Sequence, residues 1–245
     1  MTQTESTETI ETAYVLDEIA FDPSFDALMK RLRIKEGSRQ IPELREIFEA
    51  ARAIARPKAM YKLVFIDEKT DESVTIDVRG SHGGVVLSSR VLRVNLEAAH
   101  RLFAYVATCG GELQAWGDNL DDMLHQYWAD AIKEMALAAA IQALTHHLST
   151  CYDLGRTATM SPGSLADWPI REQRPLFKIL GDPQVAIGVT LTESFLMIPN
   201  KTVSGVRFPT EERFESCQLC PRESCPGRRA AYEPDLFERK YRGMA

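Results

Sequence analysis

The run DNLDDMLHQYWADAIKEMALAAAIQALTHHLST, from Asp118 to Thr150, decides the fold class, because its apolar side chains return at helical intervals along most of its length. Leu120, Met123, Leu124, Tyr127, Ala131, Met135, Ala138 and Ile141 trace the stripe that should face a core. Asp121 and Asp122 suit the first turn, where free N–H groups and the helix dipole favour negative charge, and His146 and His147 suit the last. At 1.5 Å per residue the helix would be roughly 45 Å long, enough to cross a domain. His146 and His147 diverge by about 100° around the axis, so they read as a charged or solvated helix end rather than a metal pair.

Working outward from this scaffold, Asp22-Pro23 reads as a cap and first helical residue, followed by Phe25, Leu28, Met29 and Leu32 on one face. A second helix begins near Pro42, buries Leu44, Ile47, Phe48, Ala51 and Ile54, and stops before Pro57. Tyr61 to Ile66 and Ser73 to Val78 predict two strands, and Gly80 to Gly84 a turn. Beyond the scaffold, Tyr152 to Pro169 reads as a linker. A short helix carries Leu176, Phe177, Ile179 and Leu180 and ends at Gly181. Ile187 to Thr192, Phe195 to Ile198 and Thr202 to Phe208 are strand-like, with Pro199-Asn200-Lys201 as the turn between the last two. The expected class is α+β: a twisted mixed or antiparallel sheet packed against a long central helix. The expected divisions are an acidic disordered tail over 1–12, an N-terminal α/β region over 13–115, a second region over 116–208 and a cysteine-rich tail over 209–245.

Composition narrows the function classes. The 245 residues are 44% hydrophobic, enough to bury a substantial core without disulfides. The opening MTQTESTETIET has neither the basic nor the apolar segment of a signal peptide, and no apolar run reaches membrane-spanning length. With five cysteines, an odd number, these features predict a soluble cytoplasmic protein. A net charge of −6 offers no general field for nucleic acid. The spacing in Gly80 to Gly84 matches neither a phosphate loop nor a dinucleotide fingerprint, and no Gly-x-Ser-x-Gly elbow suggests a hydrolase.

The chemistry-bearing motif is Cys217-Gln-Leu-Cys220-Pro-Arg-Glu-Ser-Cys225-Pro226, set in the basic stretch Arg222 to Arg229. Closely spaced thiolates favour soft metals, and proline after the last cysteine also occurs in bacterial ferredoxin loops. A four-iron, four-sulfur cluster leads the candidates, with zinc as the alternative and a redox pair or free thiols as the remaining reading. Three thiolates leave one position open. Cys109, at a Gly110-Gly111 turn ending an apolar run, is the candidate fourth ligand, its ordinary alternative being a small buried hydrophobe. The Cys-x3-Cys-x2-Cys order of radical enzymes is absent.

Ser161-Pro162-Gly163, Leu176-Phe177-Lys178-Ile179-Leu180, Gly188-Val-Thr-Leu-Thr192-Glu193-Ser194-Phe195 and Val203-Ser204-Gly205 occur in an order that resembles the activation domain of cobalamin-dependent methionine synthase, particularly stand-alone activation-domain-like proteins with a cysteine-rich tail. The close match covers about 156–208, with a weaker one from Leu102 through the long helix. The resemblance implies reductive activation of a corrinoid methyltransferase: an electron arrives from a donor, and methyl transfer from S-adenosylmethionine removes the reduced corrinoid and pulls the sequence forward. Cobalamin would sit on the partner, a methionine synthase or another corrinoid methyltransferase, and the cysteine tail would supply an iron–sulfur electron route. The implied ligand residues are Ser161, Pro162, Gly163 and Glu193, Glu193 reading equally as a strand-end carboxylate bonding backbone. Thr159 and Ser164 stand where the family carries Arg and Tyr. Arg156, one helical turn upstream, is a substitute for the missing guanidinium or a residue merely flanking the loop. The competing function is a non-catalytic, metal-stabilised interaction protein.

Overall fold

The computed structural model describes residues 13–78, 83–225 and 227–242. The acidic segment 1–12 and most of the glycine turn at 80–84 therefore lie outside the described residues. In chain order the elements are β1 (Tyr14–Leu16), α1 (Phe25–Leu32), α2 (Ile41–Ile54), β2 (Lys58–Lys69), β3 (Ser73–Asp77), β4 (Val85–Ser88), α3 (Arg90–Asn95), β5 (Arg101–Thr108), α4 (Gly111–Asp118), α5 (Met123–Cys151), β6 (Thr157–Met160), α6 (Gln173–Leu180), α7 (Pro183–Ile187), β7 (Thr190–Leu191), β8 (Met197–Ile198) and β9 (Thr202–Pro209).

Among the described residues one seven-stranded sheet runs β4-β3-β2-β5-β9-β6, with β1 also paired to β2, and β7 and β8 form a separate hairpin. The sheet pairings are antiparallel. The strand β5 is buried along nearly its whole length, because side chains alternating across it meet a covered surface on both sides. Leu102, Ala104 and Val106 join one core with Leu92, Trp168, Leu176 and Phe208. Phe103, Tyr105 and Ala107 face α5 with Ala140, Leu144 and Leu148. A third cluster, in which Phe25, Leu44, Phe48, Leu113, Trp128 and Ile132 meet, joins α1, α2 and α4 to the first half of α5. Each large apolar side chain so buried contributes about 1.5–3 kcal/mol relative to exposure. Because β2, β5 and β9 are adjacent strands, the boundary at 115/116 runs through a single sheet.

The long helix spans 29 residues, and the expected face is wrong at its start. Met123 and Tyr127 are 82% and 59% exposed, while the buried ridge is Trp128, Ile132, Ala136, Ala140, Leu144 and Leu148. Apolar residues surround much of this helix, so spacing alone selects no unique face. Asp122 is the cap, its Oδ1 accepting from Leu124 N at 2.7 Å and His125 N at 3.1 Å. Those two bonds hold its carboxyl below the ordinary value.

Four other expectations change. Ser24, not Asp22, caps α1, accepting from Ala27 N at 3.1 Å. The expected linker 152–169 contains β6, whose Ala158 and Met160 are buried. Part of the expected strand at 187–192 is the end of α7, closed by Gly188 at φ +73. His147 is not a solvated helix end: its ring stacks on Tyr14 at 4.5 Å and its Nε2 lies 3.1 Å from the Tyr61 hydroxyl. No helix among the described residues is long and apolar enough to cross a membrane.

Candidate ligand face and cysteine loop

Strand alternation assembles the candidate face. In β6, Ala158 and Met160 enter the core beneath α6, so Thr157, Thr159 and Ser161 point the other way. In β9, Val206 and Phe208 enter the same core, leaving Gly205 and Arg207 beside them on the opposite side. The register sets Thr159 opposite Arg207, and Tyr105 of β5 opposite Gly205. The result is a patch of hydroxyls and one guanidinium on the α5 side of three adjacent strands.

Gly205 is needed for this arrangement. A Cβ there would collide with the Met160 carbonyl oxygen and lie 2.7 Å from Ser161 Oγ and 3.1 Å from the Tyr105 hydroxyl. Without it, the Tyr105 and Ser161 side chains close over the glycine from either side. Burial raises the Tyr105 phenol above its ordinary value, which keeps it neutral. Arg207 donates from Nη1 to Thr157 Oγ1 at 3.3 Å and from Nη2 to Thr145 Oγ1 of α5 at 2.9 Å.

Ser161-Pro162-Gly163 forms the turn leaving β6. Ser164 N donates to Ser161 O at 3.1 Å and Gly163 N to Trp168 O at 2.7 Å. Gly163 has φ +84, where a Cβ would meet Ile170 Cδ1 at 2.8 Å, so the turn requires glycine. Glu193 is exposed at the tip between β7 and β8, a loop closed by Thr192 N to Leu196 O at 2.8 Å and Leu196 N to Thr192 Oγ1 at 3.0 Å. Phe195 in the same loop adopts φ +65, unusual for a bulky residue, beneath the Arg174 guanidinium at 5.0 Å. Arg156 is not brought to the Ser161 turn: it sits at the opposite end of β6, donating from Nη1 to Glu211 O at 2.9 Å.

The cysteine loop is organised by a different residue. Arg228 donates from Nη1 to Cys217 O at 3.0 Å and Ala230 O at 3.1 Å, and from Nη2 to Cys220 O at 3.2 Å and to Arg222 O. One guanidinium thus gathers the loop's carbonyls. Arg229 N donates to Cys217 Sγ at 3.5 Å, and its guanidinium pairs with Glu215 at 3.0 Å. The Arg229 charge also acts on Tyr105 and Arg207, so the tail lies within electrostatic reach of the sheet face. Phe214, Leu236 and Tyr241 insert into the core from an otherwise largely exposed tail, and the Tyr241 hydroxyl donates to Asn95 Oδ1 at 3.1 Å. The tail therefore has apolar anchors of its own.

Cys217, Cys220 and Cys225 are partly buried free thiols, and the structure does not unite them with Cys109. Among the described residues no group of three or more His, Cys, Asp or Glu side chains is placed to hold a metal ion. Cys109 is 0% exposed within the helical cluster of α1, α2 and α5, and burial pushes its thiol up to about 11. The Gly110 turn serves a close backbone approach, since a Cβ there would collide with the Arg56 carbonyl. The donor set as folded does not fit a four-thiolate centre.

Sequence reading missed Tyr105, which lies well upstream of the closely matched segments, and Arg207, which lies two residues beyond Val203-Ser204-Gly205 but looks like an ordinary strand residue. Register between strands is what unites them.

No protein-family model and no curated protein sequence matches the chain. Among solved structures, the MetH reactivation domain bound to AdoHcy is similar, with a TM-score of 0.59 over 83% of this chain and 80% of that chain, at 15% sequence identity. At that identity the likeness establishes a shared α+β fold, with an antiparallel sheet and packed helices.

Proposed function

We propose that this protein acts as an accessory factor that activates a corrinoid-dependent methyltransferase, methionine synthase being the first candidate partner, and that it binds S-adenosylmethionine on the Ser161–Arg207 face. The observation carrying this reading is the likeness, across most of both chains, to a reactivation domain whose structure contains AdoHcy. It agrees with the order of the Ser161-Pro162-Gly163, Thr192-Glu193-Ser194-Phe195 and Val203-Ser204-Gly205 segments. S-adenosylmethionine, when bound, supplies a methyl group from its sulfonium to the partner's reduced corrinoid. This chain's residues position that donor: Ser161 and the Gly163 turn give backbone and hydroxyl contacts, Tyr105 offers a neutral hydroxyl, and exposed Glu193 is the candidate partner for an ammonium or a corrinoid amide.

Cys217, Cys220 and Cys225 enter the same reading as candidate soft-metal ligands, iron–sulfur ahead of zinc. Since the folded donor set does not fit such a centre, no electron step is assigned to it. Iron, sulfide and zinc analysis of the anaerobically purified protein tests the loop: stoichiometric metal that is lost in the triple Cys→Ser variant would support ligation, and metal-free wild type would reject it. Function is tested by mixing the protein with a corrinoid-loaded methionine synthase lacking its own activation domain, a one-electron reductant and S-adenosylmethionine. Methylation of the corrinoid, read in its visible spectrum and dependent on this protein, is expected; an unchanged rate with and without the protein rejects the activator role.

A further inference from the structure

The geometry points to Arg207 as the anchor for a ligand carboxylate on the sheet face, in place of the guanidinium that Thr159 lacks. The inference deepens the proposed function and rests on its ligand reading. Arg207 and Thr159 are directly paired across β9 and β6, so their Cα atoms are about 5 Å apart and their side chains share a face. A guanidinium expected on one strand is thus supplied from the neighbouring one.

The bonding of Arg207 is incomplete in a way that specifies the missing partner. Its two described hydrogen bonds go to neutral threonine hydroxyls. Its Nε is buried and has no hydrogen-bond partner. Among the described residues no carboxylate pairs with it, whereas neighbouring Arg229 is already paired with Glu215 at 3.0 Å. Burial lowers the pKa of Arg207, and the Arg229 charge adds to that pressure. Withdrawing a cation from water without a counter-charge is costly, and an anion arriving at the unfilled edge offsets that cost. One unpaired guanidinium matches the single charge of a carboxylate, whose planar oxygens fit its fork of N–H donors. Ser161 and Tyr105 provide hydroxyls on the same face for the rest of an amino-acid group.

The test compares S-adenosylhomocysteine with 5′-methylthioadenosine, which keeps the adenosine and thioether but lacks the amino-acid carboxylate. In calorimetry the wild type should bind S-adenosylhomocysteine at least about tenfold more tightly. Arg207→Met should erase that difference without changing methylthioadenosine affinity, and Arg207→Lys, which keeps the charge but loses the fork, should restore part of it. A folded Arg207→Met protein with wild-type S-adenosylhomocysteine affinity would overturn the assignment. If wild type binds neither adenosine compound, the ligand reading of the proposed function fails separately, and titration of ¹⁵N-labelled wild type with L-methionine decides the anchor. A saturable shift of the Arg207 Nε–H resonance supports it, and an unmoved resonance rejects it. The same titration decides if the variants do not fold.

Discussion

The cysteine loop and the Ser161–Arg207 face lie within electrostatic reach of one another, yet they are built in opposite ways. The loop carries its chemistry in a contiguous motif, but its thiols are not gathered into a metal site and its shape comes from Arg228 bonding the carbonyls of Cys217 and Cys220. The face has no contiguous motif. It draws Tyr105, Ser161, Gly205 and Arg207 from three strands and fixes them by register. Spacing reveals which groups could react, whereas strand pairing decides which groups meet.

This contrast makes distinct stability predictions. The largest effect should come from the tail's apolar anchor: Tyr241→Ala removes a fully buried ring and should cost about 3 kcal/mol or more in urea unfolding. The triple variant of Cys217, Cys220 and Cys225 to Ser should change stability by less than about 1 kcal/mol. A reversed order would mean that thiol ligation, rather than packing, holds the tail. Next in size, Gly205→Val drives a side chain against the Met160 carbonyl and the Ser161 and Tyr105 hydroxyls. It should cost about 1–3 kcal/mol and abolish S-adenosylhomocysteine binding in calorimetry; intact binding would place the ligand elsewhere. The smallest effect belongs to Ser161→Ala, which removes the hydroxyl that lies with the Tyr105 hydroxyl over Gly205 and should cost about 1 kcal/mol in urea unfolding. A neutral result would show that the hydroxyl pair contributes little to the face.

Much of the fold was legible because local signals agreed with tertiary packing. Pro42 and Pro57 bracket α2, Gly181 ends α6, and the apolar run before Cys109 is the central strand. The long helix was legible as an element but not in its orientation, since Met123, Leu124 and Tyr127 continue an apolar pattern into solvent. The strand β6 was hidden because Thr157–Met160 is short and ends in a Pro-Gly turn, and its pairing partner β9 lies more than forty residues downstream. The candidate site was legible only at its turn. Ser161 and Gly163 carry a recognisable local pattern, but Arg207 looks like an ordinary strand residue until the ladder places it across from Thr159. Cys109 illustrates the converse, because a glycine turn suited to a cluster instead admits the Arg56 carbonyl.

Amide hydrogen exchange with and without S-adenosylhomocysteine addresses the ligand face most directly, because it reads both regions in one experiment. If the sheet face is the binding site, saturating ligand should slow exchange in peptides covering Thr157–Gly163 and Val203–Arg207, with little change over Cys217–Arg228. Protection confined to the cysteine loop, or no protection despite measured binding, would contradict the assignment of the ligand to the Ser161–Arg207 face.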